Sequence, residues 1–269
     1  RMGGGMIAAI DKNKPAIIGW DLSGVVVETG AGVAGFKRGE SVFGTVNFPG
    51  EGSSYAEYAA VPAKDVALKP DNITHAQAAA ATQSPLTAWQ ALVETGHVKK
   101  GQRVLIHGGA GGVGNYAIQI AHNIGCHVIT TVAGADEEFV RGLGADQVVD
   151  YQRQKFEEVT GAVDFILDTI GGENFVRSLE VLKPDGTIVM LPSDKDSAAG
   201  KAAKERGIRN YKHILMHSSG EDMKKIADML SQGTMKVHVD RQFPFDRLRE
   251  AQSALESGDV KGKVVVTVD

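Results

Sequence analysis

Val104-Leu105-Ile106-His107-Gly108-Gly109-Ala110-Gly111-Gly112-Val113-Gly114 joins an apolar, strand-forming run to a glycine cluster, and the cluster opens onto a segment with helical patterning. A strand that ends in Gly109-x-Gly111-x-x-Gly114 lets the backbone turn tightly, come close to a pyrophosphate and enter a helix whose first amides face the anion. A glycine cluster alone also marks ordinary turns, so its neighbours must decide. Arg103–His107 reads as a buried strand. Ala117, Ile118, Ile120, Ala121 and Ile124 then repeat at helical spacing before Gly125, and His127–Val132 reads as a second strand at the βαβ distance. Strand, glycines, helix and strand in this order predict a dinucleotide-binding unit. Gly109, Gly111, Gly112, Val113 and Gly114 form its cradle.

Working toward the carboxyl end, the alternation continues. Residues 136–143 read as a helix, 146–150 and 163–168 as strands, 174–182 as a helix and 187–191 as a strand. Residues 197–209 are polar and alanine-rich, a surface helix or loop. Strands at 213–217 and 236–239, helices at 222–230 and 247–255, and a last strand at 262–268 complete this half. The pattern predicts an α/β fold with a doubly wound parallel sheet and helices on both faces. Toward the amino end the chain is β-rich. Residues 16–28 hold two apolar stretches bent at Gly19 and Gly24, a short strand surrounds Val42, and residues 54–61 alternate as another strand, all suiting a compact partial barrel. Thr74 and Gln77 then have the spacing of a helix capping box, and Pro85 is expected to interrupt the helix before 87–93 continues it.

The composition narrows the class. Of 269 residues, 42% are hydrophobic and 23% charged, and no apolar run is long enough to span a bilayer, so no membrane partner is expected. A net charge of −4 without a Lys/Arg block argues against nucleic acid. The single cysteine, Cys126, cannot close an internal disulfide, which fits a reducing, cytoplasmic compartment. It follows a glycine at the start of a buried strand, so a packed thiol explains it better than a nucleophile.

Several further motifs occur in one order: Gly19-x-Asp21-x-x-Gly24-Val25-Val26, residues 52–61, Pro85-Leu86-Thr87-Ala88, the glycine loop with Gln119 and Ala121, Gly144-Ala145-Asp146, residues 164–172, and Gly262-Lys263-Val264-Val265. In that order, nearly end to end, the chain resembles the zinc-independent quinone-oxidoreductase-like branch of the medium-chain dehydrogenase/reductase superfamily. The resemblance implies a GroES-like, β-rich catalytic domain over residues 1–90 and 243–269, and a Rossmann dinucleotide-binding domain over 91–242. Family members carry a further β segment ahead of the Gly-x-Asp motif, so the chain is expected to be amino-truncated. The resemblance also implies a homodimer, here through edge strands near 213–217 and 236–239.

Zinc-dependent relatives have Gly-His-Glu where this chain has Gly19-Trp20-Asp21, and an indole does not ligate a metal. One cysteine also cannot build a four-thiolate structural site, so no metal is expected. His213 and His217 would share one face of a strand, but with no third ligand nearby in sequence they read as ordinary strand histidines. Without a metal, and with no recognisable nucleophile and base set, the simplest chemistry is direct hydride transfer from a nicotinamide to a quinone, enone or similar activated alkene or carbonyl. The protein then acts mainly by positioning, and no side chain is assigned a catalytic role. Asp21 and Glu57 are the acids to examine, although turn or sheet structure explains each more simply. An enoyl-thioester reductase, or a cofactor-binding protein without turnover, are the alternatives.

For the cofactor, NAD sites place an acid at the end of the second strand. Here that end is Thr131-Val132-Ala133-Gly134, which favours NADP(H). Glu137 and Glu138, standing where the branch often has a lysine, keep NAD(H) open, and Arg141 either compensates or is an exposed helix residue. By resemblance, Thr87 contacts the nicotinamide carboxamide, or is a helix residue beside Pro85. Tyr151 lies near the adenosine phosphate, or packs at a strand end. Ala133, Gly134, Gly171, Leu191, Pro192 and Ser193 fall just beyond the carboxyl ends of strands, where open α/β sheets hold small-molecule ligands.

Overall fold

The computed structural model describes residues 17–192, 198–258 and 260–268. The chain divides into two compact units. One holds the segment ending at Leu86 and the segment beginning at Met216, and the other is Thr87–Leu215.

The first unit opens with an antiparallel sheet of β1 (Asp21–Val25), β2 (Ser41–Thr45) and β3 (Val66–Leu68). Register pairs Asp21 with Thr45 and Phe43 with Ala67. Phe43, Val46, Phe48, Val66 and Ala67 are buried around it. Residues 54–61, expected as a strand, join no ladder. The amides of Ser54 and Tyr55 turn back to donate to Gly19 O (3.1 Å) and Ile18 O (3.0 Å), and Tyr58 is exposed. Helix α1 (His75–Ala80) starts with the expected capping box: Gln77 N donates to Thr74 Oγ1 at 3.2 Å, and Thr74 N donates to Gln77 Oε1 at 2.9 Å. Pro85 does not interrupt the next helix, α2 (Gln83–Trp89). It lies in the first turn, where its missing N–H leaves no helical bond unmade. A π-helical turn follows over Gln90–Thr95.

The second unit is built on β4 (Arg103–His107), α3 (Gly114–Ile124), β5 (His127–Val132), α4 (Glu137–Gly142), β6 (Gln147–Asp150), α5 (Phe156–Val159), β7 (Val163–Asp168), α6 (Glu173–Ser178), β8 (Leu182–Met190), α7 (Ala198–Glu205) and β9 (Asn210–His213). The strands run parallel in the order β6-β5-β4-β7-β8-β9. The sheet therefore winds outward in both directions from β4, and its switch point lies between β4 and β7, where such sheets bind ligands. Leu105, Ile129, Ile166, Ile188 and Phe175 are fully buried in its core. Each contributes on the order of 1.5–3 kcal/mol of burial. The strand expected at 213–217 lies earlier, at Asn210–His213, so His213 and His217 do not share a strand.

Past Leu215 the chain returns to the first unit with α8 (Gly220–Ser231), β10 (Val239–Pro244), α9 (Leu248–Glu256) and β11 (Lys263–Thr267). The strand expected at 236–239 is displaced to β10, which pairs in parallel with β11. The units accordingly divide at Leu86/Thr87 and Leu215/Met216, not at 90/91 and 242/243. Packing is the reason: α8 lies on β3, and Gly220 comes so close that a Cβ would sit 2.7 Å from both Lys64 O and Val66 O.

Gly220→Ala should therefore push α8 from β3 and lower the unfolding free energy by about 1–3 kcal/mol. Gly142→Ala, in α4 with open space around it, should raise stability by roughly 0.5–1 kcal/mol. Urea denaturation of both variants checks the contrast, and equal effects would contradict the packing argument.

Candidate cofactor site

Because Gly108 has φ +70°, β4 can leave the sheet in a tight turn. Gly109 N donates to Thr131 O at 3.1 Å, and Gly111 N to Gly108 O at 3.0 Å. The glycines have different tasks. A Cβ on Gly114 would lie 2.1 Å from Gly108 O, and one on Gly109 2.1 Å from Thr130 Oγ1, so both are required for packing. Gly111 is exposed, and a Cβ there would meet only Gly108 O, at 3.2 Å. It is the open point at which a phosphate can approach the backbone. Val113, in the cap position of α3, offers no side-chain acceptor, and Asn115 N donates to Gly111 O at 3.2 Å, which joins the first turn of the helix to the loop that an anion would approach. These features fit the pyrophosphate of a dinucleotide.

Two residues that sequence reasoning missed hold the loop. Asn115 is buried, and its Nδ2 donates to Gly111 O (2.8 Å) and Gly112 O (3.0 Å), fixing the carbonyls so that the amides face outward. Its adjacency to Gly114 was the available signal. His107 is fully buried, with Nδ1 3.0 Å from Thr131 Oγ1 and Nε2 2.9 Å from Ser178 Oγ. Ser178 Oγ itself donates to Asn174 O at 2.6 Å, so it accepts from Nε2–H, and in the neutral ring Nδ1 accepts from the Thr131 hydroxyl. Burial first, then the Arg177 charge, push the His107 pKa down to about 4, against an opposing effect of Asp168.

Asp168 ends β7, where its Oδ1 accepts from Ile170 N (2.9 Å), Gly171 N (3.0 Å) and Asn174 Nδ2 (3.1 Å). Thr169 Oγ1 donates to His107 O at 2.8 Å, and Leu191 N donates to Asp168 O at 3.0 Å. Gly171, with φ +75°, faces Pro192 at 3.3 Å from its ideal Cβ. The structure thus gathers the glycine loop, Gly171, Leu191 and Pro192 at the carboxyl edge of β4, β7 and β8; Ser193 lies outside the described residues. Ala133, Gly134 and Tyr151 meet at a second corner of that edge, since Tyr151 N donates to Val132 O at 3.1 Å and the Tyr151 side chain is exposed. Thr87 is buried in α2, outside the sheet that carries the other candidates. Arg141 points elsewhere: its guanidinium donates to Glu137 Oε1 (2.8 Å) and to Asp146 O (3.3 Å), ahead of the amino end of β6.

In the first unit, Trp20 Nε1 donates to Gly50 O at 2.7 Å, and its ring stands edge-on to Phe48 at 5.7 Å. Asp21 Oδ1 accepts from Gln83 N (3.0 Å) and Thr45 Oγ1 (3.4 Å), while Oδ2 lies 3.6 Å from Lys263 Nζ. Its carboxylate is engaged in holding strands and helix together. Burial, helped by Asp21, raises the Tyr55 pKa, and Glu57 is exposed. Burial also pushes the Cys126 thiol up to about 11, as a packed, unreactive thiol requires.

Residues 3–71 match the alcohol dehydrogenase GroES-like domain, and residues 143–266 match the zinc-binding dehydrogenase family. The chain is 35% identical over 272 residues to 2-methylene-furan-3-one reductase of Solanum lycopersicum, covering 97% of this chain and 66% of the relative. It is 35% identical over 271 residues to the chloroplastic NADPH-dependent alkenal/one oxidoreductase of Arabidopsis thaliana, again covering 97% and 66%. The quinone oxidoreductase structure from Coxiella burnetii superposes with a TM-score of 0.92 at 33% identity, covering 99% of this chain and 84% of that one. The protein combines a Rossmann sheet with a GroES-like domain, and it belongs to the medium-chain dehydrogenase/reductase superfamily, among quinone-oxidoreductase-like relatives. It spans about two thirds of the length of the two curated relatives, 66% of each.

Two measurements test the site. The unfolded chain protonates His107 near 6.5 and the folded one only near 4, so the stability this residue contributes is full above pH 6.5 and falls as pH drops toward 4. The loss reaches roughly 3 kcal/mol. Denaturation between pH 7 and 4 should show this slope in the wild type and a shallower one in His107→Gln. Separately, Gly111→Ala should weaken binding of a nicotinamide dinucleotide by about 10-fold with little change in Tm, whereas Gly114→Ala should chiefly lower Tm by overpacking. Calorimetric titration with thermal denaturation separates the two.

Proposed function

We propose that the protein is an oxidoreductase that uses NADP(H) to reduce quinones, enones or similar activated alkenes and carbonyls without a metal. The observation that carries this reading is the glycine loop, closed by Gly114 against Gly108 and clamped by Asn115, with Gly111 exposed just ahead of α3. The relatives' names supply the reaction class. A reduced nicotinamide, when bound, would supply a hydride to the activated alkene or carbonyl, with the proton coming from solvent or a hydroxyl. The chain's own part is to bind and orient, and orientation alone lowers a barrier by several kcal/mol. In this reading Thr87 contacts the carboxamide, Gly171, Leu191 and Pro192 border the reacting end, and Ala133, Gly134 and Tyr151 border the adenosine ribose.

Trp20 supports the metal-free reading, because an indole already bonded to Gly50 O stands where zinc-dependent relatives carry a ligand. The β-rich unit is the catalytic domain in this account, and the sheet unit the cofactor domain. A second copy of the chain pairs along β9, the edge strand of the six-stranded sheet. No helix among the described residues is long and apolar enough to cross a membrane. A lone buried thiol fits a reducing compartment, and we retain the cytoplasm although the Arabidopsis relative is named chloroplastic.

NADPH oxidation should be measured with quinones, enones and an enoyl thioester, with and without chelator. Turnover of quinones or enones that survives chelation is expected. Faster thioester reduction would make the protein an enoyl reductase, and cofactor binding without turnover would make it a binding protein. Stoichiometric zinc with chelator-sensitive turnover would refute the metal-free reading.

A further inference from the structure

Strand β5 ends at Val132 without an acid of its own, yet an acid reaches the same corner from the next strand. Asp150, the last residue of β6, pairs with Val132 across the ladder. Its carboxylate lies against Gly134, where an ideal Cβ would be 2.6 Å from Oδ2. Oδ1 accepts from Gln152 N at 3.0 Å, which fixes the group, and the side chain is 16% exposed. The turn after β6 then brings in a cation. Arg153 N donates to Asp150 O at 3.0 Å, and Arg153 Nε lies 3.5 Å from Asp150 Oδ2 with its side chain 85% exposed. The guanidinium is therefore beside Gly134, at the carboxyl end of β5, where a doubly wound sheet holds the adenosine ribose.

The other charges at this corner do not replace it. Glu137 is held by Arg141, and Arg141 is turned toward Asp146 at the opposite edge. Asp136 and Glu138 are acids. Resting on the dinucleotide reading above, we propose that Arg153 holds the 2′-phosphate of NADP(H), and that Asp150 parks Arg153 at the ribose corner when no phosphate is there. An exposed ion pair at this separation contributes little, so the guanidinium leaves it at small cost. A dianionic phosphate offers the planar fork two charge-assisted bonds in exchange. Gly134, lacking a side chain, leaves the path between them clear. Asp150 opposes the phosphate and suits a ribose hydroxyl, so the preference for NADP(H) over NAD(H) turns on the Arg153 charge and reverses without it.

The test is calorimetric titration of wild type, Arg153→Gln and Asp150→Asn with NADPH, NADH, 2′,5′-ADP and 5′-AMP. Arg153→Gln should weaken NADPH and 2′,5′-ADP by about 10-fold or more, and leave NADH and 5′-AMP within about 2-fold. The salt dependence of NADPH binding should fall with it. Asp150→Asn should tighten NADPH and weaken NADH, because the amide no longer repels phosphate or accepts as strongly from the ribose. Equal losses for both cofactors in Arg153→Gln, or none for NADPH, would overturn the assignment while leaving the dinucleotide site intact. Failure of the wild type to bind either cofactor would overturn both.

Discussion

At the carboxyl edge of the sheet Gly114 approaches Gly108 so tightly that a methyl group would reach within 2.1 Å of a carbonyl oxygen. The rest of the cofactor site depends on this contact. It sets helix α3 directly against the end of β4, so the helix starts where the strand stops, and Asn115 N ties its first turn to Gly111 O of the loop at 3.2 Å. Thr131 ties that loop to β5, since its carbonyl accepts from Gly109 N and its hydroxyl lies 3.4 Å from Gly108 N. Asn115 then turns the loop carbonyls inward, so the surface left to an anion presents donors and few acceptors.

Behind the loop lies a polar interior that is uncommon for a sheet core. His107, Thr131 and Ser178 are all buried, the imidazole bonded to both hydroxyls, with Phe156 standing edge-on to it at 4.6 Å. A buried polar group is tolerated only when its partners are present, and each of these has them. Asp168 is the partial exception. Oδ1 accepts three donors, while Oδ2 is buried without a hydrogen bond, a cost of about 1–3 kcal/mol. The carboxylate nonetheless organises the turn that carries Gly171. The same neighbourhood holds Arg177, bonded to Glu157 at 2.6 Å and stacked over Phe156 at 4.8 Å, so the far side of His107 is closed by an ion pair and an aromatic ring. A neutral histidine suits this place because it links two elements without bringing a charge.

The parallel sheet was legible because its strands are buried on both faces and read as continuous apolar runs; Arg103–His107, His127–Val132 and Val163–Asp168 fall where the pattern puts them. The β-rich half was less so. Residues 54–61 alternate like a strand, but two amides are spent on Gly19 and Ile18, and alternation carries no information about which backbone a segment will pair with. Helix α8 was recognisable as a helix, yet its allegiance to β3 rests on Gly220, a single missing side chain facing two carbonyls. The cradle glycines were legible as a motif. Asn115 and His107 were not, because their roles come from partners up to 71 residues distant in the chain.

The ribose corner shows a sharper limit of motif reading. The fingerprint rule asks whether the second strand ends in an acid, and β5 does not. A parallel sheet, however, places the end of each strand beside the end of the next, so a residue on β6 reaches the same space with no spacing in the sequence to mark it. Asp150 does so because Val132 pairs with it and because position 134 is a glycine; any larger residue there would exclude the carboxylate. The charge that meets the ribose is therefore the sum of two strands and the turn after the second. That sum contains a carboxylate fixed by Gln152 N and an exposed guanidinium 3.5 Å from it, and in the proposed reading the guanidinium sets which ribose is favoured.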